Sequence, residues 1–367
     1  MNNRVAVIGG GGFLGSRFIE MIRGSSLEAV PIFRSFKGLA RGSKYSERAV
    51  VVDTGNVATL AASFAGCDAV VNFSVGDWNT IESDTQKIWQ AARDASIPLL
   101  IHISSAVVFG SVQSPAISDD SPPDVSSWMM YARSKAKAEL FLRDKMGNGM
   151  NIVVLRPGLI WGPKSGWSTL PARQLSTDTV WLPLQGDGIS NLIYIDNLVE
   201  CVRSVLSSNQ VVSGFFNVSD QETISWKRFY TDIASGLGYP FERIQYTNRG
   251  LNIFSIACIF EWLKQQPPFY AFMKYLLRNL SAENKSLLKY YMPWLAGGRE
   301  GPPVPISVRL VSQPRFTREL YSLYATAYKL SNKKFYDNYS DCGHVKYEDA
   351  LGRTIGWLKY SGYDAKY

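Results

Sequence analysis

Six short apolar runs recur between residues 4 and 158, and amphipathic stretches separate them. The runs are RVAVIG (4–9), EAVPIFR (28–34), RAVVVD (48–53), DAVVNFSV (68–75), PLLIHISS (98–105) and NIVVLRPG (151–158). They are apolar throughout rather than alternating, the pattern of strands covered on both faces. FLGSRFIEMIRG (13–24), VATLAASFAG (57–66), TIESDTQKIWQAARDAS (80–96) and MYARSKAKAELFLRDKM (130–146) carry helical periodicity. Strand and helix in alternation predict an α/β fold with a parallel, doubly wound sheet. The rhythm breaks near Pro157, where Gly, Pro and Trp become frequent. NLIYIDNLVECVRSVL (191–206) reads as one more strand and helix returning to the sheet, and after residue 250 the chain is helical, aromatic and irregular. The predicted division is a nucleotide-binding domain at 1–156, rejoined by 191–216, and a smaller, mostly helical C-terminal substrate lobe from 157–190 and 217–367.

A chain of 367 residues is long enough for one large or two smaller domains with a sizeable core. Its net charge of +8 comes from scattered Lys and Arg without a basic block. That describes a solvated basic surface, and no nucleic-acid partner is expected. Cys67, Cys201, Cys258 and Cys342 lie far apart with no CxxC, so neither a zinc site nor a disulfide framework is suggested. Only His102 and His344 are available for a histidine triad or metal cluster. MNNRVAVIGG runs straight into glycines, unlike a signal peptide, and a cytoplasmic enzyme is expected. LNIFSIACIFEWL (251–263) is too short to span a bilayer and carries Glu261, so no integral membrane segment is expected.

VIGGGGFLGS joins the first predicted strand to the first helix, with Gly9, Gly12 and Gly15 spaced by threes. One glycine permits the tight turn, one lets a pyrophosphate approach the backbone, and one lets the helix pack close to the strand. The helix N-terminus then offers free N–H groups and a favourable dipole to the phosphates. This is the context a Rossmann-type dinucleotide site requires. Where NAD sites place an acid for the ribose hydroxyl, this chain has Arg34, followed by Lys37 and Arg41. That favours NADP over NAD; the alternatives are that Arg34 stacks on the adenine or faces solvent. Asp53, closing the third strand, would bond the adenine amino group.

YxxxK occurs twice, as YARSK (Tyr131 to Lys135) and YAFMK (Tyr270 to Lys274). Four-residue spacing puts both side chains on one helix face in either case. Together, GGGGFLG, VVDTGN, NFSVG, SSAVVFG, YARSK, LRPGLIWGP and YIDNL resemble, in order and spacing, the extended short-chain dehydrogenase/reductases, which include nucleotide-sugar epimerases and 3β-hydroxysteroid dehydrogenase-like enzymes. The resemblance covers residues 4–235 well and the rest loosely. It separates the two matches, because Tyr131 lies 26 residues after Ser105 on the following helix, whereas Tyr270 has no serine-bearing strand before it. It implies that Tyr131 exchanges a proton with a substrate hydroxyl or carbonyl while hydride moves at the nicotinamide. Lys135 would hold the ribose and favour the phenolate, and Ser105 would orient the substrate oxygen. Phe13, Leu14, Thr54, Phe73, Ser74, Pro157 and Gly158 complete the implied cofactor contacts. Ser104 is aimed at the other face by strand alternation, and His102 is expected in the core.

Family dehydratases carry an Asp-Glu pair after the catalytic hydroxyl residue; Ala106 and Val107 stand there. Many nucleotide-sugar epimerases carry an Arg shortly before the YIDNL segment; Ser190 stands near that place, leaving Arg173, Arg249, Arg309 or Arg315 to supply the charge. Three readings stay open: an NAD(P)-dependent oxidoreductase on a small-molecule alcohol or carbonyl, a nucleotide-sugar 4-epimerase that retains NAD, and a non-catalytic nucleotide sensor. Trp161, Trp167 and Trp181 would pack on substrate or form the core of the second lobe. FFNVSDQETISWKRFYTDIASGLG (215–238) resembles the family's return strand and following helix, with Ser225 as the helix N-cap. The resemblance further implies a homodimer through the helices at 80–96 and 127–146, while residues 251–315 would cap the site, pair subunits or touch a membrane.

Overall fold

The computed structural model describes residues 3–42, 49–110, 117–177, 179–248, 250–251, 256–279, 316–339 and 344–365. The first half runs β1 (Arg4–Ile8), α1 (Phe13–Ile22), β2 (Glu28–Phe33), α2 (Phe36–Gly42), β3 (Val50–Val51), α3 (Val57–Ser63), β4 (Ala69–Asn72), α4 (Ile81–Asp94), β5 (Leu99–Ile103), α5 (Met130–Lys145) and β6 (Asn151–Pro157). There follow β7 (Leu159–Trp161), α6 (Gly166–Thr177), β8 (Val180–Pro183), β9 (Leu192–Tyr194), α7 (Ile195–Leu206), β10 (Gly214–Val218), α8 (Trp226–Leu237) and β11 (Ile244–Thr247). The described helices then continue with α9 (Ile256–Lys264), α10 (Pro267–Asn279), α11 (Arg318–Tyr324), α12 (Lys333–Asn338) and α13 (Tyr347–Tyr360).

Seven strands form one parallel sheet in the order β10-β6-β5-β4-β1-β2-β3. The uninterrupted apolar runs follow from this: every residue of β4 and β5 is buried. Ala6, Ile8, Val70, Leu100, Ile152 and Val154 pack with Leu60 of α3, Ile88 and Trp89 of α4 and Leu142 of α5. α1 packs against α7. Caps set the boundaries: the Asn56 side chain accepts the Ala58 and Thr59 N–H groups before α3, and Ser225 accepts the Arg228 N–H before α8.

The strand at 192–194 does not return to the central sheet as the sequence predicts. β9 pairs with β7 in a separate two-stranded sheet, and the seventh strand is β10, in the stretch that resembles the family's return strand. Gly158 stands at the junction between β6 and β7. Its N–H bonds the Val218 carbonyl, and its α-carbon lies so close to the Asn191 carbonyl that a Cβ would collide with it. Past that residue the chain continues as β7 outside the central sheet, and β10 is the neighbour of β6.

The chain clusters into two compact units. The first is residues 1–165, 191–223 and 328–350; the second is 166–190, 224–327 and 351–367. Residues 157–165, 217–223 and 328–350 thus group with the sheet, beyond the boundaries read from the sequence. β7 binds β9, α12 packs on β10, and the Trp161 indole N–H donates to Asp220 at 3.3 Å. In the second unit, the parallel pair β8–β11 accompanies an aromatic cluster of Trp226, Phe229, Tyr230 and Tyr324. Among the described residues no helix is long and apolar enough to cross a membrane.

Candidate active site

The glycine turn has the geometry its spacing predicts. Gly9 follows β1 at φ +82°, and a Cβ there would lie 2.9 Å from the Phe73 carbonyl carbon and the Ser74 nitrogen. Gly12 donates its N–H to the Gly9 carbonyl at 2.9 Å and stands as the N-cap of α1, with no side-chain bond across the helix start. A Cβ on Gly15 would collide with the Gly9 carbonyl. The loop thus leaves bare backbone in front of α1, a cradle that fits a dinucleotide pyrophosphate. Phe13 is half-buried at the helix start, and the Leu14 side chain is in the core.

The remaining predicted cofactor residues fall around the ends of the strands. Arg34 is exposed one residue beyond β2; the side chains of Lys37 and Arg41 lie outside the described residues. Asp53 is exposed, with one carboxylate oxygen accepting the Gly55 N–H at 2.9 Å, and Thr54 is half-buried beside it. Phe73 turns its ring inward onto Phe18, centroids 5.2 Å apart, so its backbone rather than its ring adjoins the glycine turn. The Ser74 hydroxyl donates to the Asn72 side-chain oxygen at 2.6 Å. Pro157 is buried at the end of β6, and Gly158 makes the turn described above.

Ser105 ends the loop after β5 and opens a 3-10 turn, Ala106–Phe109, whose Val107 N–H donates to its hydroxyl at 3.3 Å. Tyr131 is the second residue of α5 and half-buried. Lys135 follows one turn later and is 1% exposed. Its ammonium donates to the Ile103 carbonyl at 2.8 Å, two residues before Ser105. One hydrogen bond thus ties the YxxxK face of α5 to the strand end that carries Ser105. Burial pulls Lys135 down to about 8, and the Glu139 carboxylate a turn away works in the opposite direction. The Lys274 side chain of the second match is exposed on α10, with Tyr270 half-buried.

Three buried polar arrangements behind the site were not singled out in the sequence. Arg156 of β6 makes a bidentate pair with Glu139 of α5, its closest contact 2.7 Å, with both side chains fully buried. Its Nη1 donates to the Asp119 carbonyl, and its guanidinium lies 4.9 Å from the ring centres of Phe109 and Phe215. An arginine inside the otherwise apolar NIVVLRPG run was the available signal. Arg17 of α1 grips Asp196 of the YIDNL segment through two bonds of 2.7 and 2.8 Å. Asp220 collects the Asn197 amide, the Tyr194 N–H and the Trp161 indole, so Trp161 belongs to the core of the first unit rather than to a substrate surface. His102 is buried, as expected, and its Nδ1 lies 3.1 Å from the Asn72 amide nitrogen. In the second unit, buried Ser190 donates its hydroxyl to the Ile224 carbonyl, and Arg173 is half-buried. Arg249, Arg309, Arg315 and Cys342 lie outside the described residues.

The chain belongs to the NAD dependent epimerase/dehydratase family, whose model matches residues 5–219. The extended short-chain dehydrogenase/reductase resemblance is therefore correct, and this is a family of NAD-dependent enzymes. A 4-hydroxy-2-methyl-3-oxo-4-farnesyl-3,4-dihydroquinoline-1-oxide ketoreductase of Stigmatella aurantiaca is 26% identical over 51% of this chain. That match spans only 55% of the ketoreductase. An N-acetyl-alpha-D-glucosaminyl-diphospho-ditrans,octacis-undecaprenol 4-epimerase of Escherichia coli O157:H7 is 22% identical over 65% of this chain and 73% of its own length. In architecture the chain is similar to the dTDP-glucose 4,6-dehydratase DesIV from Streptomyces venezuelae, solved with NAD and TYD. The TM-score is 0.66 at 17% identity, with 98% of each chain covered.

Proposed function

We propose that this protein transfers hydride between a nicotinamide dinucleotide and a small-molecule secondary alcohol or carbonyl, with Tyr131 as the acid and base. The observation that carries the reading is the Lys135–Ile103 bond, which anchors the Tyr131 helix to the Ser105 strand end. Ser105 would donate to the substrate oxygen and orient it. Tyr131 would give that oxygen a proton on reduction or take one on oxidation. The Lys135 ammonium stabilises a phenolate at Tyr131 and would hold the nicotinamide ribose through an N–H not used by Ile103. The bound cofactor supplies or accepts the hydride. Gly9, Gly12 and Gly15 with the start of α1 would hold its pyrophosphate, Asp53 and Thr54 its adenine side, and Pro157 and Gly158 its nicotinamide. NAD agrees with the family. The exposed Arg34 stands where a 2′-phosphate would be met, which favours NADP for this chain.

Sugar dehydration is disfavoured by Ala106 and Val107, which bring no acid or base to the turn after Ser105. A nucleotide-sugar 4-epimerase is the second reading, favoured by the similarity to the Escherichia coli epimerase. Against it, the position expected to hold a diphosphate-gripping arginine is occupied by Ser190, committed to a backbone carbonyl.

The test begins with mass spectrometry of nucleotide released on denaturation, followed by NADH and NADPH turnover against a panel of ketones, UDP-sugars and dTDP-sugars. Tyr131→Phe is expected to keep nucleotide binding and lose about 10²-fold or more in turnover. Full turnover by Tyr131→Phe overturns the reading. Stoichiometric released NAD moves the assignment to the epimerase; an empty protein that prefers NADPH supports the reductase and the role of Arg34.

A further inference from the structure

Buried polar groups that the reaction does not use lie at the ends of β4 and β5. His102 of β5 and Ser104, one residue beyond its end, are two residues apart, a spacing that in extended backbone puts both side chains on one face. They are 1% and 4% exposed, and neither His102 Nε2 nor Ser104 Oγ has a hydrogen-bond partner among the described residues. The protonation of His102 follows from its neighbour. The Asn72 side-chain oxygen accepts from the Ser74 backbone N–H at 3.0 Å and from its hydroxyl at 2.6 Å. A backbone N–H can only donate, so that end of the Asn72 amide is the oxygen and the NH₂ faces His102 Nδ1. Nδ1 therefore accepts, and the ring proton sits on Nε2, a buried donor that requires an acceptor.

Lys135 reaches the same end of β5. The Ser104 N–H points to Leu155 of β6, and the carbonyl of the same trans peptide, Ile103, points the opposite way, where it receives the Lys135 ammonium. The Lys135 charge also acts on His102, which burial already holds neutral. An ammonium has three donors, and Ile103 takes one. The charged group that faces Lys135 is Glu139 on its own helix, held by Arg156 of β6; His102 of β5 is neutral, as are Asn72 at the end of β4 and Ser74 beyond it.

We propose that His102 Nε2–H and Ser104 Oγ hold one internal water that also accepts a Lys135 N–H, so that His102 is a positioning residue for the lysine. Such a water would accept from His102 and Lys135 and donate to Ser104, within the two to four partners of buried waters. It fixes the ammonium beside the Ile103 carbonyl and returns part of the solvation that burial removes. The inference rests on the proposed role of Lys135, and its test uses no turnover.

The chain has only two histidines, so nitrogen NMR of the imidazoles is assigned by one variant, His102→Phe. The expected spectrum shows His102 protonated at Nε2, protected from exchange and cross-relaxing with a long-lived water. A titration of the Lys135 side-chain signal, assigned with Lys135→Met, follows in His102→Phe and in Ser104→Ala, a small change that spares the fold. Each is expected to lower the midpoint by about one pH unit, a tenfold weaker hold on the proton, and His102→Gln, which keeps an N–H donor, restores it. A proton on Nδ1, no water contact, or an unmoved midpoint in Ser104→Ala overturns the proposal. Active Tyr131→Phe with an intact water signature would instead overturn the reaction and leave the water site standing.

Discussion

Replacing Lys135 by methionine, which has similar length and no charge, separates the stability of this fold from its chemistry. The ammonium is held at about 8 against an ordinary 10.5. At about 1.4 kcal/mol per unit, keeping it charged in the folded state costs about 3 kcal/mol near neutral pH. The lysine is depressed in the native state, so the penalty is fully present below about 8. Between about 8 and 10.5 the native protein releases this proton while the unfolded chain retains it, and stability rises with pH. Methionine has no such dependence, although it leaves the Ile103 carbonyl without its donor. That loss of about 1–3 kcal/mol is the same at every pH and cancels between conditions. Urea unfolding at about pH 7 and about pH 9.5 should therefore show the wild type gaining about 2 kcal/mol on Lys135→Met. Lys329, half-buried and also held at about 8, is common to both proteins and drops out of the difference. A gap that stays constant between the two pH values would refute the argument, because Lys135 would then titrate in the folded protein as it does in the unfolded chain. Lys135→Met should in either case lose turnover with Tyr131→Phe.

Two other substitutions test the frame around the site. Gly15→Ala drives a methyl group into the Gly9 carbonyl, and NADH binding measured by fluorescence should weaken more than about tenfold while the far-ultraviolet spectrum is kept. Arg156→Met leaves Glu139 buried without its partner and should destabilise by about 3–5 kcal/mol in urea, whereas Arg156→Met with Glu139→Leu should recover most of that loss.

The sheet was legible because its strands are buried on both faces, and doubly covered strands leave uninterrupted apolar runs. The glycine turn was legible because each glycine has a separate steric reason. Tyr131 and Lys135 could be paired by helical spacing, but choosing YARSK over YAFMK needed the strand before it. The two-stranded sheets were not legible: the strand at 192–194 was read but not its partner β7, and β8 and β11 are four residues each, too short for a period to register. Nor was the partnership of Arg156 with Glu139, since nothing local marks a salt bridge between residues seventeen apart on different elements. The inward ring of Phe73 was missed for a similar reason, because spacing places a residue beside the glycine turn without saying which atoms face it.

The order in which the sheet is assembled has a bearing on how the protein is made. β6 lies inside the sheet, yet its outer neighbour β10 is encoded about sixty residues later, so at roughly 5–20 residues per second the nascent chain shows an apolar strand edge for several seconds. Phe335 and Tyr339, which pack on Phe216 of β10, emerge later still. A ribosome-bound chain stopped soon after β6 is thus a sticky intermediate rather than a small stable domain. Expression of this protein should depend on chaperone supply and elongation rate more than on the strength of any contact in the finished fold.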